Sequence, residues 1–223
     1  MAALAVLFDI DGTLISTGGA GAESWRRAFL DLYGVPADIG QFSDAGMTDP
    51  EVGRLTFRSV VGHEPSPQEL ARVMARRQHH LPDAVAKSTG YRVLDGVPAV
   101  LERLQERDVL LGLTTGGTEA AAHIKLARAD LNRFFHFGGY GSDSPDRTEL
   151  TRCGIQRARA VLGAGLDPAQ VAVVGDTPHD IEAAHEAGAT AVGVATGHFD
   201  AAALRAAGAD HVLASLAEEF PAS

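Results

Sequence analysis

Two aspartates with one residue between them follow an apolar run near the N-terminus. Residues 4–8 are all apolar, and Asp9, Ile10, Asp11 and Gly12 come directly after them. An uninterrupted apolar run is typical of a strand buried on both faces. Side chains at i and i+2 of a strand point to the same side, and ligands bind at the carboxyl ends of strands in open α/β sheets. An Asp-Gly turn alone does not require a second aspartate facing the same way, so we interpret Asp9 and Asp11 as a functional pair.

Two further aspartates follow another apolar run, at residues 171–174. Asp176 comes at the carboxyl end of this predicted strand, where it would face the first pair. Carboxylates gathered at one edge suit a hard cation such as Mg²⁺, which prefers oxygen ligands. Asp180 has two interpretations, because Thr177 and Pro178 also make it part of a helix N-terminal cap. The two roles are compatible, and we predict a metal site that contains Asp176, with Asp180 nearby.

A polar turn that could bind an anion follows the short run at residues 109–114. Thr115, Gly116 and Gly117 lead into a helix that is predicted to begin near Thr118. Free backbone amides at a helix N-terminus, together with a hydroxyl, form an anion site. Threonine and glycine are also ordinary capping residues, so this pattern alone leaves both interpretations open.

The composition restricts the class of protein. The chain has 223 residues, of which 45% are hydrophobic, and a formal net charge of −10. The acidic balance argues against a nucleic acid or an anionic membrane as the main partner. One cysteine, Cys153, excludes an internal disulfide and suits a reducing compartment. We predict no signal peptide and no membrane span, and therefore expect a cytoplasmic protein.

The periodicity of apolar residues divides the chain into a helical part and an alternating part. Residues 16–90 show helical periodicity, with predicted helix starts at Thr48 and Ser66 and a kink or break at Pro82. From residue 91 onward, helices alternate with apolar runs at residues 109–114, 135–137, 171–174, 191–194 and 212–213. This alternation predicts an α/β fold with a doubly wound parallel sheet. We predict a discontinuous core of residues 1–15 and 91–223, interrupted by an all-helical insertion of residues 16–90.

These motifs resemble those of a known family. The stretch Asp-Ile-Asp-Gly-Thr-Leu at residues 9–14 resembles the first motif of the haloacid-dehalogenase-like superfamily, in its phosphatase branch. Thr115 matches the second motif, and Asp176 with Asp180 matches the fourth. The resemblance implies a Rossmann-like core with a helical cap inserted after the first motif, in agreement with the predicted division of the chain.

The resemblance also implies a role for each matching acid. Asp9 would be the nucleophile that forms an aspartyl-phosphate, and Asp11 would protonate the leaving group and then activate water. The cofactor would be Mg²⁺, bound by the carboxylates of Asp9 and Asp176 and by the backbone carbonyl of Asp11. Asp180 would orient metal-bound water.

The third motif departs from the family pattern. The superfamily usually has a lysine after the third strand, whereas residues 141–150 contain none. Arg147 is the natural replacement, since its guanidinium is a permanent cation that fits phosphoryl oxygens. Arg147 would then bind these oxygens together with Thr115 and Gly116. The alternative is a solvated arginine in the first turn of a helix, and in either case we expect its removal to leave stability almost unchanged.

The sequence separates the branches of this superfamily. Asp11 speaks against dehalogenases and phosphonate hydrolases, which generally lack a second acid at this place. Sugar-phosphate mutases carry a histidine in the segment after the first motif, whereas residues 18–22 contain none. We therefore predict a phosphate monoester hydrolase that acts on a small phosphorylated metabolite. A sugar-phosphate mutase and a non-catalytic sensor of phosphorylated metabolites are the alternatives.

The helical part is expected to select the substrate. The turn at residues 47–50 is similar to that of phosphoglycolate phosphatases, although this match names no substrate. We predict that Thr48, Asp49 and Arg54 contact the organic part of the substrate. The sequence leaves open whether the protein is a monomer or a homodimer.

Overall fold

The computed structural model describes residues 3–40 and 46–221. The strands are β1 (Ala5–Phe8), β2 (Ile15–Ser16), β3 (Arg92–Val93), β4 (Leu110–Thr115), β5 (Gly138–Tyr140), β6 (Val171–Gly175), β7 (Thr190–Val194) and β8 (His211–Leu213). Within the described residues, six of these strands form one parallel sheet in the order β5-β4-β1-β6-β7-β8. The fold is therefore the predicted α/β fold with a parallel sheet.

The central strand is β1, as its uninterrupted apolar run predicts. Phe8 lies beside Leu113 of β4 on one side and beside Val174 of β6 on the other. The chain builds β4 and β5 outward on one side of β1, and then crosses to build β6, β7 and β8 on the other side. The strand order therefore reverses between β1 and β6, and such a reversal is where a ligand-binding crevice forms.

Helices cover both faces of the sheet. Those in the described residues are α1 (Ala20–Tyr33), α2 (Asp49–Val61), α3 (Pro67–Lys87), α4 (Val97–Glu106), α5 (Glu119–Ala127), α6 (Arg147–Leu162), α7 (Pro178–Glu186) and α8 (Ala201–Ala206). Val6 and Phe8 point into an apolar core that α4 and α5 cover, whereas Ala5 and Leu7 point into a second core beneath α6, α7 and α8. The sheet is therefore doubly wound, as predicted. None of the described helices is long and apolar enough to cross a membrane.

The helices α1, α2 and α3, which we call the helical segment, have an apolar core of their own. Its largest buried residues are Trp25, Phe29, Val52, Phe57 and Val73. The chain leaves the sheet through β2 and returns through β3, and these two strands pair antiparallel with Ser16 opposite Arg92. We propose on this basis that residues 16–90 form a cap unit, and that residues 1–15 and 91–223 form the core that carries it.

The helix starts agree with the prediction, although their caps differ. Ser66 and Glu69 form a reciprocal capping box at the start of α3. At α2, however, the Thr48 side chain makes no cap hydrogen bond and instead donates to the backbone oxygen of Pro145, at 3.1 Å. Thr48 therefore connects α2 to a distant loop, because a hydroxyl used in this contact is not available to its own helix.

Of the predicted kink or break at Pro82, the break does not occur, because α3 continues through this proline to Lys87. Proline removes one backbone hydrogen bond and clashes with the preceding turn. The apolar neighbours Leu81, Ala84 and Val85 are buried around it and hold the helix together. Tertiary packing therefore outweighs the local cost of the proline.

The third strand of the sheet lies three residues beyond its predicted place at residues 135–137. Phe135 packs into the core after a turn of 3₁₀-helix, and the strand is the glycine-rich segment Gly138–Tyr140. A Cβ atom at Gly139 would lie 1.7 Å from the backbone oxygen of Leu150 in α6. Glycine is required here because α6 approaches the strand closely, and a pattern based on apolar residues does not detect this requirement.

Candidate active site

Three predicted site residues lie together at the carboxyl edge of the sheet. Asp9, Thr115 and Asp176 end or directly follow the neighbouring strands β1, β4 and β6, and all three are buried. The backbone N–H of Asp9 donates to the backbone oxygen of Val174, at 2.8 Å, so the β1–β6 ladder extends to the site. The sheet itself therefore fixes the positions of these side chains.

Asp180 joins Asp9 and Asp176 in one carboxylate cluster. Each of these residues offers an oxygen atom, and the three atoms lie within 4.8 Å of one another. Asp180 is held by Thr177, whose backbone N–H and hydroxyl donate to one of its carboxylate oxygens at 3.1 and 2.8 Å. Asp180 therefore caps its helix, while its other oxygen accepts from Arg147, so the cap leaves the predicted role at a metal possible.

Close backbone approaches fix Asp176. A Cβ atom at Gly12 would lie 2.3 Å from one Asp176 carboxylate oxygen, and a Cβ atom at Gly197 would lie 1.7 Å from the same oxygen. Gly12 also has a φ of 86°, a conformation that favours glycine. The Thr13 hydroxyl donates to the other oxygen, at 3.2 Å. The two glycines therefore leave room for this carboxylate between two backbone segments.

Arg147 bridges two carboxylates of the cluster. It is the first residue of α6, and its Nη2 atom donates to Asp9 Oδ1 at 2.8 Å and also to Asp180 Oδ1. The arginine side chain is only 12% exposed. The alternative of a solvated arginine is therefore wrong. Because this buried charge pairs with two carboxylates, we expect its removal to change stability as well.

Burial and the neighbouring charges shift the pKa values of the site residues. Burial raises the pKa of Asp9 from 3.8 to about 7, with Asp180 and Asp11 adding to the rise and Arg147 opposing it. Burial likewise raises the pKa of Asp176 from 3.8 to about 8, with further contributions from Asp9 and Asp180. Burial lowers the pKa of Arg147, but the Asp180 and Asp9 carboxylates outweigh this effect and raise it above the usual value. The single positive charge of Arg147 therefore does not keep the pKa values of Asp9 and Asp176 at their ordinary level.

The cluster fits a divalent cation. The oxygens of Asp9, Asp176 and Asp180 are the hard ligands that Mg²⁺ prefers, and their spacing allows one ion to contact more than one of them. Burial, with the neighbouring carboxylates, raises the pKa values of Asp9 and Asp176, so a cation beside them would favour their ionised forms. The Asp11 carboxylate is not part of this cluster, so any contact of Asp11 with such an ion would come from its backbone carbonyl, as the resemblance implies.

A cavity of about 510 Å³ lies over the cluster, and residues from the sheet edge and from the helical segment line it. Asp9, Asp11 and Arg147 line the sheet side, while Trp25 and Arg77 line the other side. A volume of this size accommodates a small ligand. The predicted phosphate-binding residues Thr115 and Gly116 line the same cavity, beside the start of α5.

Thr48 and Asp49 attach the helical segment to this edge of the sheet. The Asp49 backbone N–H donates to the Gly116 oxygen at 2.7 Å. The Asp49 carboxylate accepts hydrogen bonds from Arg77 Nη1 at 2.8 Å and from the Thr118 backbone N–H at 3.1 Å. Asp49 also lines the cavity, whereas the Thr48 hydroxyl is used in its contact with Pro145.

Arg54, by contrast, is not brought to the site. Its guanidinium forms ion pairs with Glu51 and Glu64 on the surface of the helical segment, and Arg54 does not line the cavity. Glu51 in the first turn of α2 and Glu64 beyond the end of this helix both accept hydrogen bonds from Arg54. The structure therefore gives Arg54 a place in a surface ion-pair network.

Lys125 is a site residue that the sequence reasoning missed. It is 6% exposed, lines the cavity, and its ammonium contacts Asp11 Oδ2. The sequence does contain a signal, since Lys125 shares the apolar face of α5 with Ala121, Ala122 and Leu126. A lysine on the buried face of a helix that follows an anion-binding turn requires a partner, because an unpaired buried charge is costly.

Arg147→Ala is expected to lower kcat by roughly ten- to a hundred-fold, because a charge-assisted contact to the reacting group is lost. It is also expected to lower the unfolding temperature at neutral pH, since the buried carboxylates lose their cation. Arg147→Lys should recover part of the lost kcat and part of the lost unfolding temperature. Hydrolysis rates and thermal unfolding measure these effects, with Arg152→Ala on the exposed side of the same helix as control. Wild-type rates and stability in Arg147→Ala would assign charge compensation to another group.

Comparisons with known proteins agree with this geometry. The sequence profile of the haloacid dehalogenase-like hydrolase family matches residues 4–188. The chain is 34% identical over 213 residues to the validoxylamine A 7′-phosphate phosphatase of Streptomyces hygroscopicus subsp. limoneus, covering 95% of this chain and 93% of that protein. It is 26% identical to the phosphoglycolate phosphatase of Synechococcus elongatus, covering 94% of this chain and 92% of that protein.

A comparison of folds agrees with the observed architecture. A Bacteroides vulgatus protein, provisionally assigned as a β-phosphoglucomutase, superposes with a TM-score of 0.71 at 20% identity, covering 97% of this chain and 85% of that chain. At this identity the likeness concerns the fold alone. The family profile and the relatives named phosphatases carry the assignment. The chain belongs to the haloacid dehalogenase-like hydrolase family, in its phosphatase branch.

Proposed function

We propose that this hydrolase is a Mg²⁺-dependent phosphate monoester phosphatase that acts on a small phosphorylated metabolite through an aspartyl-phosphate on Asp9. One observation carries the proposal: the Asp9 carboxylate lies beneath the cavity, with Arg147, Asp176 and Asp180 around it. A nucleophile needs charge compensation beside it when it approaches an anionic phosphoryl group. The cation site and the arginine supply that compensation from two directions.

The residues of the chain divide the reaction between them. Asp9 attacks phosphorus, and Arg147 holds the phosphoryl oxygens together with Thr115 and the backbone at Gly116. Asp11 gives a proton to the leaving alcohol oxygen as the P–O bond breaks. It then takes a proton from the water molecule that hydrolyses the aspartyl-phosphate.

The metal site belongs to the same proposal. The carboxylates of Asp9 and Asp176 would hold Mg²⁺, with the backbone carbonyl of Asp11, and Asp180 would orient a water ligand. Bound Mg²⁺ would supply positive charge next to the transferring phosphoryl group.

The helical segment would act as a cap that selects the substrate. In support, the Asp49 backbone N–H donates to the Gly116 oxygen and the Thr48 hydroxyl donates to the Pro145 oxygen, so this segment contacts two loops beside the site. Closure over the site excludes bulk water, and the core residues bind only phosphate and metal. The cavity of about 510 Å³ suits a small phosphorylated metabolite, in keeping with the relatives that act on validoxylamine A 7′-phosphate and on phosphoglycolate.

The test is release of inorganic phosphate from p-nitrophenyl phosphate and from a panel of phosphorylated metabolites, with Mg²⁺ and with EDTA. Mg²⁺-dependent release that EDTA abolishes is the expected result. A sensor would bind phosphorylated metabolites without releasing phosphate. A mutase would isomerise a sugar phosphate and release little phosphate. Either outcome would overturn the proposal.

Without added metal, the protein is expected to unfold at a higher temperature at about pH 5.5 than at about pH 8.5. The pKa values of Asp9 and Asp176, about 7 and about 8, lie above the ordinary value of 3.8, so the fold favours their protonated forms. Their contribution to stability is complete below pH 3.8 and is lost as the pH rises through 7 and 8. Mg²⁺ should raise the unfolding temperature more at the higher pH, where both carboxylates are ionised.

Thermal unfolding of the metal-free protein with and without Mg²⁺, at both pH values, measures this effect. Asp176→Asn is the matched control, because it removes one of the two titrating carboxylates and should weaken both the pH dependence and the response to Mg²⁺. An equal response to Mg²⁺ at the two pH values would show that these carboxylates do not bind the ion.

A further inference from the structure

Lys125 places a cation in the cavity that is separate from Arg147, the cation that pairs with Asp9. It lies in the second half of α5, the helix that begins immediately after the loop at Gly116 and Gly117. Although it is a lysine, it is 6% exposed. A Cβ atom at Gly117 would lie 3.9 Å from its ammonium nitrogen. The ammonium group therefore lies beside the proposed phosphate-binding loop and not in solvent.

Asp11 depends on this lysine for its orientation. Its side chain is 45% exposed and lies outside the cluster of Asp9, Asp176 and Asp180. Within the described residues, the partner of the Asp11 carboxylate is the Lys125 ammonium. An exposed aspartate without such a partner rotates freely about two side-chain bonds, whereas a contact to a buried ammonium restricts it to one direction.

The backbone of Lys125 is held in place by its neighbours. The Tyr91 hydroxyl donates to the Lys125 backbone oxygen at 2.8 Å, and the neighbouring Leu126 packs into the core beneath α5. The lysine is therefore a rigid support, and Asp11 is the mobile partner that it restrains. Two of the cations that line the cavity pair with the two acids of the first motif, Arg147 with Asp9 and Lys125 with Asp11.

We propose that Lys125 is a positioning residue for proton transfer, whose ammonium holds the Asp11 carboxyl group toward the leaving oxygen of the substrate. This inference rests on the proposed phosphatase function. In the step concerned, the P–O bond to the leaving group breaks, an O–H bond forms on the leaving oxygen, and the Asp11 carboxyl group becomes a carboxylate. After that transfer, Asp11 and Lys125 form the ion pair that the structure contains.

The leaving group distinguishes this role from simple structural support. A displaced p-nitrophenolate is stable without a proton, whereas a phenolate lacking the nitro group gains more from one. The two phosphate esters have nearly the same shape, so the contacts of the cavity with them remain comparable. A misplaced general acid therefore slows phenyl phosphate more than p-nitrophenyl phosphate, whereas a loosened fold slows both equally.

The experiment compares kcat and KM for both esters in the wild type, Lys125→Met, Lys125→Arg and the control Lys87→Met. Lys87 is an exposed lysine at the end of α3 that pairs with Asp83, away from the cavity. Lys125→Met is expected to lose on the order of ten- to a hundred-fold in kcat/KM with phenyl phosphate and clearly less with p-nitrophenyl phosphate. The ratio kcat/KM is compared because it reports the step that expels the leaving group, whereas kcat also contains hydrolysis of the aspartyl-phosphate, which the two esters share. Lys125→Arg should recover part of the loss, because it keeps a cation on the same helix face.

A double-mutant cycle completes the test. Lys125→Met is expected to add nothing to Asp11→Asn, since a positioning residue has no effect once the group it positions is gone. Equal losses of kcat/KM with both esters, additive losses in the cycle, or wild-type rates in Lys125→Met would each overturn the inference and leave the phosphatase proposal intact. If Lys125→Met does not fold, Lys125→Gln and Lys125→Arg are judged by the same ratio of the two esters. A wild type that releases no phosphate from any ester would overturn both proposals.

Discussion

Asp9→Asn is expected to abolish turnover, with a loss of roughly 10⁴-fold or more in kcat. An amide of the same shape cannot attack phosphorus, and no other carboxylate takes its place, because Asp176 and Asp180 are fixed by Thr13 and Thr177. The fold should persist, since the substitution removes one of three mutually repelling buried carboxylates. The metal-free variant should unfold at a temperature at least as high as that of the wild type at about pH 8.5.

Phosphate release and thermal unfolding together test the nucleophile assignment. Glu106→Gln is the matched control, because it changes an exposed carboxylate on α4 to an amide far from the cavity. Mass spectrometry of wild-type protein quenched in acid during turnover should detect one added phosphoryl group, and Asp9→Asn should lack it. Full hydrolysis by the purified variant would assign the attack to another group.

Asp11→Asn is expected to lower kcat by about 10²–10⁴-fold, which is the usual loss when general acid–base help is removed. Both half-reactions should suffer, because the same carboxyl group gives a proton in the first and takes one in the second. With p-nitrophenyl phosphate the first step should suffer less than the second, since its leaving group needs little protonation. The aspartyl-phosphate should then accumulate, and rapid mixing should show a burst of p-nitrophenolate.

Phenyl phosphate provides the comparison for this prediction. Its leaving group needs a proton, so the first step should become slow and the burst should disappear. The fold and the carboxylate cluster should be unaffected, since Asp11 lies outside that cluster. Equal losses of kcat/KM with the two esters would argue against Asp11 as the acid, since kcat/KM reports the step in which the leaving group departs.

The sequence alone was sufficient to predict the positions of residues that end a strand or follow directly after one. Asp9, Thr115 and Asp176 are each placed by an apolar run, and the carboxyl ends of adjacent parallel strands necessarily meet. The position of Asp180 could also be predicted, because its capping interaction with Thr177 is local in the sequence. A prediction of this kind succeeds where position depends on a few neighbouring residues and on the general geometry of parallel sheets.

Contacts between distant elements could not be predicted in the same way. Arg147 was identified as a candidate from its motif, but its double contact with Asp9 and Asp180 depends on how α6 packs against two strands. Lys125 depends on the rotation of α5 about its axis, and Arg54 on nearby glutamates that compete for it. The partners of Arg147 and Lys125 are chosen by packing and not by spacing in the sequence, whereas the Arg54–Glu51 pair follows the i,i+3 spacing of one helix.

The antiparallel pairing of β2 with β3 means that the helical segment is attached through a narrow two-strand stem, with Ser16 opposite Arg92. Its two attachment points are neighbours in space, so a short linker could join them and the sheet would keep its strand order. The entropy cost of closing a loop between fixed points grows only slowly with loop length. Segments of different length and sequence could therefore be exchanged at this stem, which would allow evolution or an engineer to change substrate preference while the chemistry at the sheet edge stays the same.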